Sequence, residues 1–91
     1  MNHEQREVYY SGRVQGVGFR YTVRHLAQRF AVAGYVRNLP DGRVYLVVEG
    51  SAEEIAGLLD AIRDAFGVAI HHAEETVNPA TGRFASFDIR F

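Results

Sequence analysis

The chain has 91 residues, 47% of them hydrophobic and 23% charged, a balance that predicts a single globular domain over residues 1–91. Its formal net charge of −1 argues against a general nucleic-acid binder, which usually carries a basic surplus. The sequence has no cysteine, which excludes disulfides, cysteine-ligated zinc and a thiol nucleophile.

Neither a secretion signal nor a membrane span is expected. The first seven residues are polar and lack the apolar core of a signal peptide. No apolar run approaches the ~20 residues that cross a bilayer. We therefore expect a cytoplasmic protein with neither a membrane nor a nucleic-acid partner.

The N-terminal part of the chain predicts a strand followed by a helix. Residues 7–14 alternate between apolar and polar positions, which is the period of a strand. Residues 20–32 place apolar side chains at helical spacing, so we predict a helix there. Gly34 is expected to end this helical region and to permit a turn.

A hairpin and a second helix come next. Strands over residues 35–38 and 43–49 flank a Pro-Asp-Gly turn at residues 40–42, which predicts a β-hairpin. Ser51 has the sequence context of a helix N-cap, and Gly67 stands where a glycine commonly follows the last helical turn. The residues between them have the spacing of an amphipathic helix.

The C-terminal part predicts a strand over residues 68–77, a loop at residues 78–82 and a final strand over residues 87–91. The resulting order, β-α-β-β-α-β plus a C-terminal strand, is typical of the ferredoxin-like fold. Two amphipathic helices can cover one face of one sheet, so we predict an α+β two-layer sandwich with an antiparallel sheet.

The turn between the first strand and the first helix is the first candidate site. Gly16 and Gly18 allow the backbone to approach a ligand, and the helix start adds unpaired N–H donors. Arg20 could bind phosphate oxygens through two N–H groups, and an anion would relieve its unfavourable position at the helix dipole. A glycine-rich turn with a surface arginine explains the same residues, so the pattern alone leaves both interpretations open.

Asn38 is the second candidate. In the predicted fold the first two strands run parallel, so their C-terminal ends lie at the same end of the sheet. Asn38 and the glycine turn should therefore lie roughly 10 Å apart, across one intervening strand. An asparagine that merely forms the turn before Pro40 is the alternative.

The remaining polar residues suggest no metal site. His71 and His72 are neighbours on a predicted strand, so they point to opposite faces and cannot share a metal ion. His25 and the carboxylates of the second helix are expected to face solvent.

Two segments of the chain are similar to the signatures of a known family. Residues 11–20 resemble the first signature of the acylphosphatase family, and residues 34–38, with Gly42, Arg43, Val44 and Gly50, resemble the second. Both match without a gap, and the resemblance covers essentially the whole chain, although it weakens after residue 67.

This resemblance implies hydrolysis of acyl phosphates, which are carboxylic–phosphoric anhydrides, to a carboxylate and inorganic phosphate, without a metal or organic cofactor. It implies that Asn38 holds the attacking water and that Arg20 binds the phosphoryl oxygens. The backbone N–H groups that would help are those of Gln15, Gly16, Val17, Gly18, Phe19 and Arg20. We expect a monomer that binds a small acyl phosphate, and inorganic phosphate or a similar anion, at this site.

Two other classes of function compete with this interpretation. The first is a non-catalytic anion-binding module, including the acylphosphatase-like N-terminal domain of a hydrogenase-maturation carbamoyltransferase. The presence of Arg20 and Asn38 argues against an inactive site, and the 91-residue length argues against the fused version. The second is RNA binding on the open sheet, but residues 43–49 contain one tyrosine and no RNP motif.

Overall fold

A computed structural model describes residues 3–16 and 18–91. Its helices are α1 (Phe19–Ala27) and α2 (Ala52–Phe66), and a 3₁₀ turn follows at Gly67–Ala69. Its strands are β1 (His3–Gly12), β2 (Val32–Asn38), β3 (Val44–Ser51), β4 (Ile70–Pro79) and β5 (Phe87–Arg90).

The strands form one sheet in the order β4-β1-β3-β2-β5. Both β1 and β2 run antiparallel to β3, so they run parallel to each other with one strand between them, as the sequence predicted. The expectation of a purely antiparallel sheet is wrong in one detail, because β5 pairs with β2 in parallel. Strand β4 forms one edge of the sheet, and β5 forms the other edge and runs in the same direction as β2. The sheet is therefore mixed.

Both helices pack on one face of this sheet, which confirms the predicted α+β, ferredoxin-like two-layer sandwich. Alternate residues of the central strands supply the sheet side of the core, and the apolar stripes of α1 and α2 supply the other side. The buried residues that meet there include Val8, Val36, Leu46, Val23, Ile55, Leu58 and Ile62. Within the described residues, neither helix is long and apolar enough to cross a membrane.

The ends of the second helix match the sequence expectation. The backbone N–H of Glu54 donates to Ser51 Oγ at 3.2 Å, which makes Ser51 the N-cap. Gly67 follows the last helical residue, with φ +35°. These local signals therefore mark the residues at which α2 begins and ends.

The first helix is shorter than predicted, and Gly34 has a different role. Helix α1 ends at Ala27, and Gly34 lies inside β2 with φ +147°. A Cβ atom at Gly34 would lie 2.0 Å from the carbonyl oxygen of Val47 on β3. Glycine is therefore needed here for the close approach of two strands, and it does not end the helix.

Candidate active site

The loop between β1 and α1 presents its backbone to solvent. Gly16 and Gly18 have φ angles of +76° and +75°, and a Cβ atom at either position would meet nothing within 4 Å. Both glycines are exposed, so a ligand can approach the main chain closely. Val17, the other residue expected in this part of the loop, lies outside the described residues.

The N-terminus of α1 adds backbone donors to this loop. Its first helical bond runs from Thr22 N–H to the Gly18 carbonyl at 3.0 Å, so the N–H groups of residues 19–21 have no partner within the helix. Among residues 3–16 and 18–91, no side chain caps this end, and the first turn of α1 contains no acidic residue. The partial positive charge of the helix N-terminus is therefore not compensated locally, which favours binding of an anion.

Phe19 anchors the loop to the core. Its side chain is 2% exposed, and its ring centroid lies 4.3 Å from that of Phe66 and 5.3 Å from that of Tyr10. Phe19 can therefore offer a ligand its backbone N–H alone, while its buried ring holds the helix start in place.

The guanidinium of Arg20 lies at the start of α1 with few competing contacts. Its Nη1 is 3.5 Å from the carbonyl oxygen of Arg90, and its Cζ is 4.7 Å from the ring centroid of Phe91. Within residues 3–16 and 18–91, no carboxylate forms an ion pair with it. Its positive charge and most of its five donors are therefore available to an anion.

Asn38 is the last residue of β2 and lies opposite Val44 in the hairpin. It has the same parity as Val36, which is fully buried, so both side chains belong to the helix-covered face. Its Oδ1 is buried and accepts no hydrogen bond from any described residue. A buried amide oxygen without a partner is rare and indicates a position where a ligand or a water donates.

The side chain of Gln15 connects the loop to this hairpin. Its Nε2 donates to the carbonyl oxygens of Leu39 at 2.8 Å and Arg43 at 2.9 Å. The sequence did not reveal this contact. Its acceptors are main-chain carbonyls, which every residue type carries, so neither partner has a distinguishing side chain. The structure thus places Gln15 next to the turn that follows Asn38.

The four histidines are not part of the loop. His25 is in the last turn of α1, at the end away from Arg20, while His71 and His72 are exposed on the edge strand β4. In the part of the chain that the structure describes, no three residues of the types His, Asp and Glu gather as a metal-ligand set.

The opposite end of the sheet contains a concavity of about 350 Å³, lined by His3, Phe30, Val32, Glu49 and Phe84 among others. The carboxylate in this concavity is that of Glu49, and it already accepts hydrogen bonds from the backbone N–H groups of Thr81 and Gly82. This concavity is therefore a weaker anion site than the loop, where the guanidinium of Arg20 forms no ion pair with any described carboxylate.

The chain is similar to known proteins in both sequence and structure. The acylphosphatase family model matches residues 6–89. An acylphosphatase of Archaeoglobus fulgidus is 38% identical over 85 residues, which are 93% of this chain and 96% of that protein. The crystal structure of the Bacillus subtilis acylphosphatase superposes with a TM-score of 0.88 at 30% identity, over 97% of this chain and 99% of that chain.

A longer protein contains a similar domain. T. kodakarensis HypF is 29% identical, with a TM-score of 0.82, and the match covers 97% of this chain but 12% of that chain. The match of the family model to most of the sequence, together with relatives of nearly the same length, shows that this chain belongs to the acylphosphatase family.

Proposed function

We propose that the protein hydrolyses small acyl phosphates to a carboxylate and inorganic phosphate, with Arg20 binding the phosphoryl group and Asn38 orienting the attacking water. The proposal includes no metal ion and no organic cofactor. Family membership supports the reaction class, and the geometry of the loop and hairpin supports the two roles.

The phosphoryl group would bind between the loop backbone and Arg20. Negative charge on the phosphoryl oxygens must be stabilised as the bond to the acyl oxygen breaks. The N–H groups at the start of α1, which have no partner within the helix, and the positive charge of Arg20 would supply that stabilisation from one short segment. The loop is prearranged because Phe19 fixes its end in the core.

The buried Oδ1 of Asn38 is the observation that carries the proposal. It can accept a hydrogen bond from water, while the amide cannot take a proton at neutral pH. The water oxygen would attack phosphorus, the phosphorus–acyl oxygen bond would break, and the carboxylate would leave with the electron pair. The proton of the water would pass to a phosphoryl oxygen of the substrate.

The test is hydrolysis of benzoyl phosphate, followed by ultraviolet absorbance with EDTA present. Arg20→Ala should lower kcat/KM by about 10²–10³-fold, because a charge-stabilising donor is lost. Asn38→Ala should lower kcat by a similar factor while the inhibition constant of inorganic phosphate changes little. Arg29→Ala removes an exposed arginine beyond the other end of α1 and is the matched control.

The outcomes separate enzyme from binding module. Fast turnover in EDTA that both variants lose, with circular dichroism unchanged, supports the proposal. A folded wild-type protein that binds phosphate but turns over no acyl phosphate would favour the anion-binding module. A fully active Arg20→Ala variant would refute the assigned role.

Because no protein base takes part, the pH dependence of kcat should follow the ionisation of the substrate. A pH dependence of kcat that disappears in the His25→Ala variant would contradict the mechanism.

We also propose that residues 1–91 act as one monomeric domain in the cytoplasm. Among the described residues, the exposed large apolar ones are separated along the chain, with Tyr21 in α1, Val68 in the 3₁₀ turn, Val77 in β4 and Phe91 after β5. Light scattering coupled to size-exclusion chromatography should give the mass of one chain, and a dimer mass would overturn this point.

A further inference from the structure

We propose that Gln15 is a positioning residue for Asn38, and that its side chain fixes the distance between the anion-binding loop and the attacking water. This inference rests on the proposed function, since it concerns how the two halves of that site are held together.

The geometry of the Gln15 amide supports this role. The amide nitrogen has two hydrogens, and its two acceptors, the carbonyls of Leu39 and Arg43, lie at 2.8 Å and 2.9 Å. Both donor positions are therefore used on the hairpin. The side chain of Gln15 thus has no amide hydrogen left for a phosphate, although its backbone N–H remains part of the loop.

The two acceptors flank Asn38 on both strands of the hairpin. Leu39 directly follows Asn38, and Arg43 directly precedes Val44, the residue opposite Asn38 in the ladder. The amide of Gln15 therefore donates hydrogen bonds to both sides of the hairpin next to Asn38, the last residue of β2.

The same carbonyls also close the turn. The Leu39 carbonyl accepts from Gly42 N–H at 3.2 Å, and the Arg43 carbonyl accepts from Leu39 N–H at 2.8 Å. With the two bonds from Gln15, each oxygen accepts two hydrogen bonds, which uses both of its lone pairs. Loss of the amide would leave the turn hydrogen bonds intact but would free the hairpin from the loop.

Catalysis is sensitive to such a connection. A displacement of about 1 Å between reacting groups can cost about 10²-fold in rate. The loop contains two glycines in open space, so few of its own side chains can hold it against the hairpin. Gln15 supplies that connection, and the position of Asn38 relative to a bound phosphoryl group depends on it.

The test compares Gln15→Met, which keeps the length of the side chain but removes its donors, with the wild type. We expect kcat for benzoyl phosphate to fall about 10–100-fold, while the inhibition constant of inorganic phosphate stays within about threefold. The side-chain amide signal of Asn38 in a ¹H–¹⁵N spectrum should shift. Gln28→Met, the same change at an exposed glutamine after α1, should alter none of these quantities.

A second variant covers the case in which Gln15→Met fails to fold. Gln15→Glu places a carboxylate against two carbonyls at neutral pH and should lower kcat. Protonation restores one donor, so the ratio of its kcat to that of the wild type should rise at acidic pH.

A double-mutant comparison tests whether Gln15 acts through Asn38. In the Asn38→Ala background, Gln15→Met should cost less than about threefold in kcat. Equal losses in both backgrounds, or a folded Gln15→Met protein with wild-type kcat, would overturn the inference. Absence of turnover in the wild type would instead refute the proposed function, and the Asn38 amide signal would still report whether Gln15 positions it.

Discussion

Glu49 gives the sharpest test of the reasoning about stability. This residue of β3 is 7% exposed, and its carboxylate accepts hydrogen bonds from Gln5 Nε2 at 2.8 Å, Thr81 N at 2.9 Å, Thr81 Oγ1 at 2.7 Å and Gly82 N at 2.9 Å. Burial raises the pKa of Glu49, but the bonds from Thr81, Gly82 and Gln5 outweigh it and lower the pKa from 4.5 to about 2. Glu49 thus fixes the connection between β4 and β5 to the sheet.

The lowered pKa of Glu49 determines how much this residue contributes to the unfolding free energy and how that contribution changes with pH. At 1.36 kcal/mol per pKa unit the shift corresponds to roughly 3 kcal/mol, which is an upper bound. Thr81 and Gly82 are exposed, so solvent screening reduces the contribution to about 1–2 kcal/mol. Because the folded pKa lies below the unfolded one, this stabilisation is present at neutral pH and is lost as the pH falls from about 5 to 2.

The Glu49→Gln variant should therefore be about 1–2 kcal/mol less stable than the wild type at pH 7, and the difference should largely disappear near pH 2. Urea unfolding followed by circular dichroism at several pH values measures it. Glu74→Gln, at an exposed position of β4, is the matched control and should unfold like the wild type at every pH. Equal stability of Glu49→Gln and wild type at pH 7, or a deficit that persists unchanged at pH 2, would refute the reasoning.

Substitutions at Gly34, Gly82 and Ser51 test the backbone conformation of two glycines and the N-cap of α2. Gly34→Ala would bring a Cβ atom to 2.0 Å from the Val47 carbonyl at a positive φ, so we expect a loss of at least about 3 kcal/mol in unfolding free energy. Gly82→Ala, also at positive φ but in open space, should cost about 1 kcal/mol in the same denaturant assay, and equal losses would contradict the strand-contact explanation. Ser51→Ala removes the side-chain acceptor at the N-cap of α2 and should lower the melting temperature by about 4–8 °C, equivalent to about 1 kcal/mol, whereas Ser51→Asp should retain most of the stability.

Local signals in the sequence were enough to predict most of the secondary structure. The cap at Ser51, the glycine at Gly67 and the apolar spacing between them define α2 through contacts a few residues apart. The parallel directions of the first two strands followed from the order of elements, and they place the loop and Asn38 at one sheet edge. The family resemblance, confirmed by the comparisons, came from two short motifs around these same positions.

The tertiary structure decided what depends on long-range contacts between backbone groups. Gln15 reaches carbonyls 24 and 28 residues away, and Gly34 is required by a carbonyl on the neighbouring strand. The parallel pairing of β5 with β2 likewise depends on where the chain returns after β4. Main-chain carbonyls are the same in every residue, so no sequence pattern reveals which of them a side chain will meet. Only the folded sheet brings Gln15 to the hairpin of Asn38, and that contact joins the two halves of the candidate site.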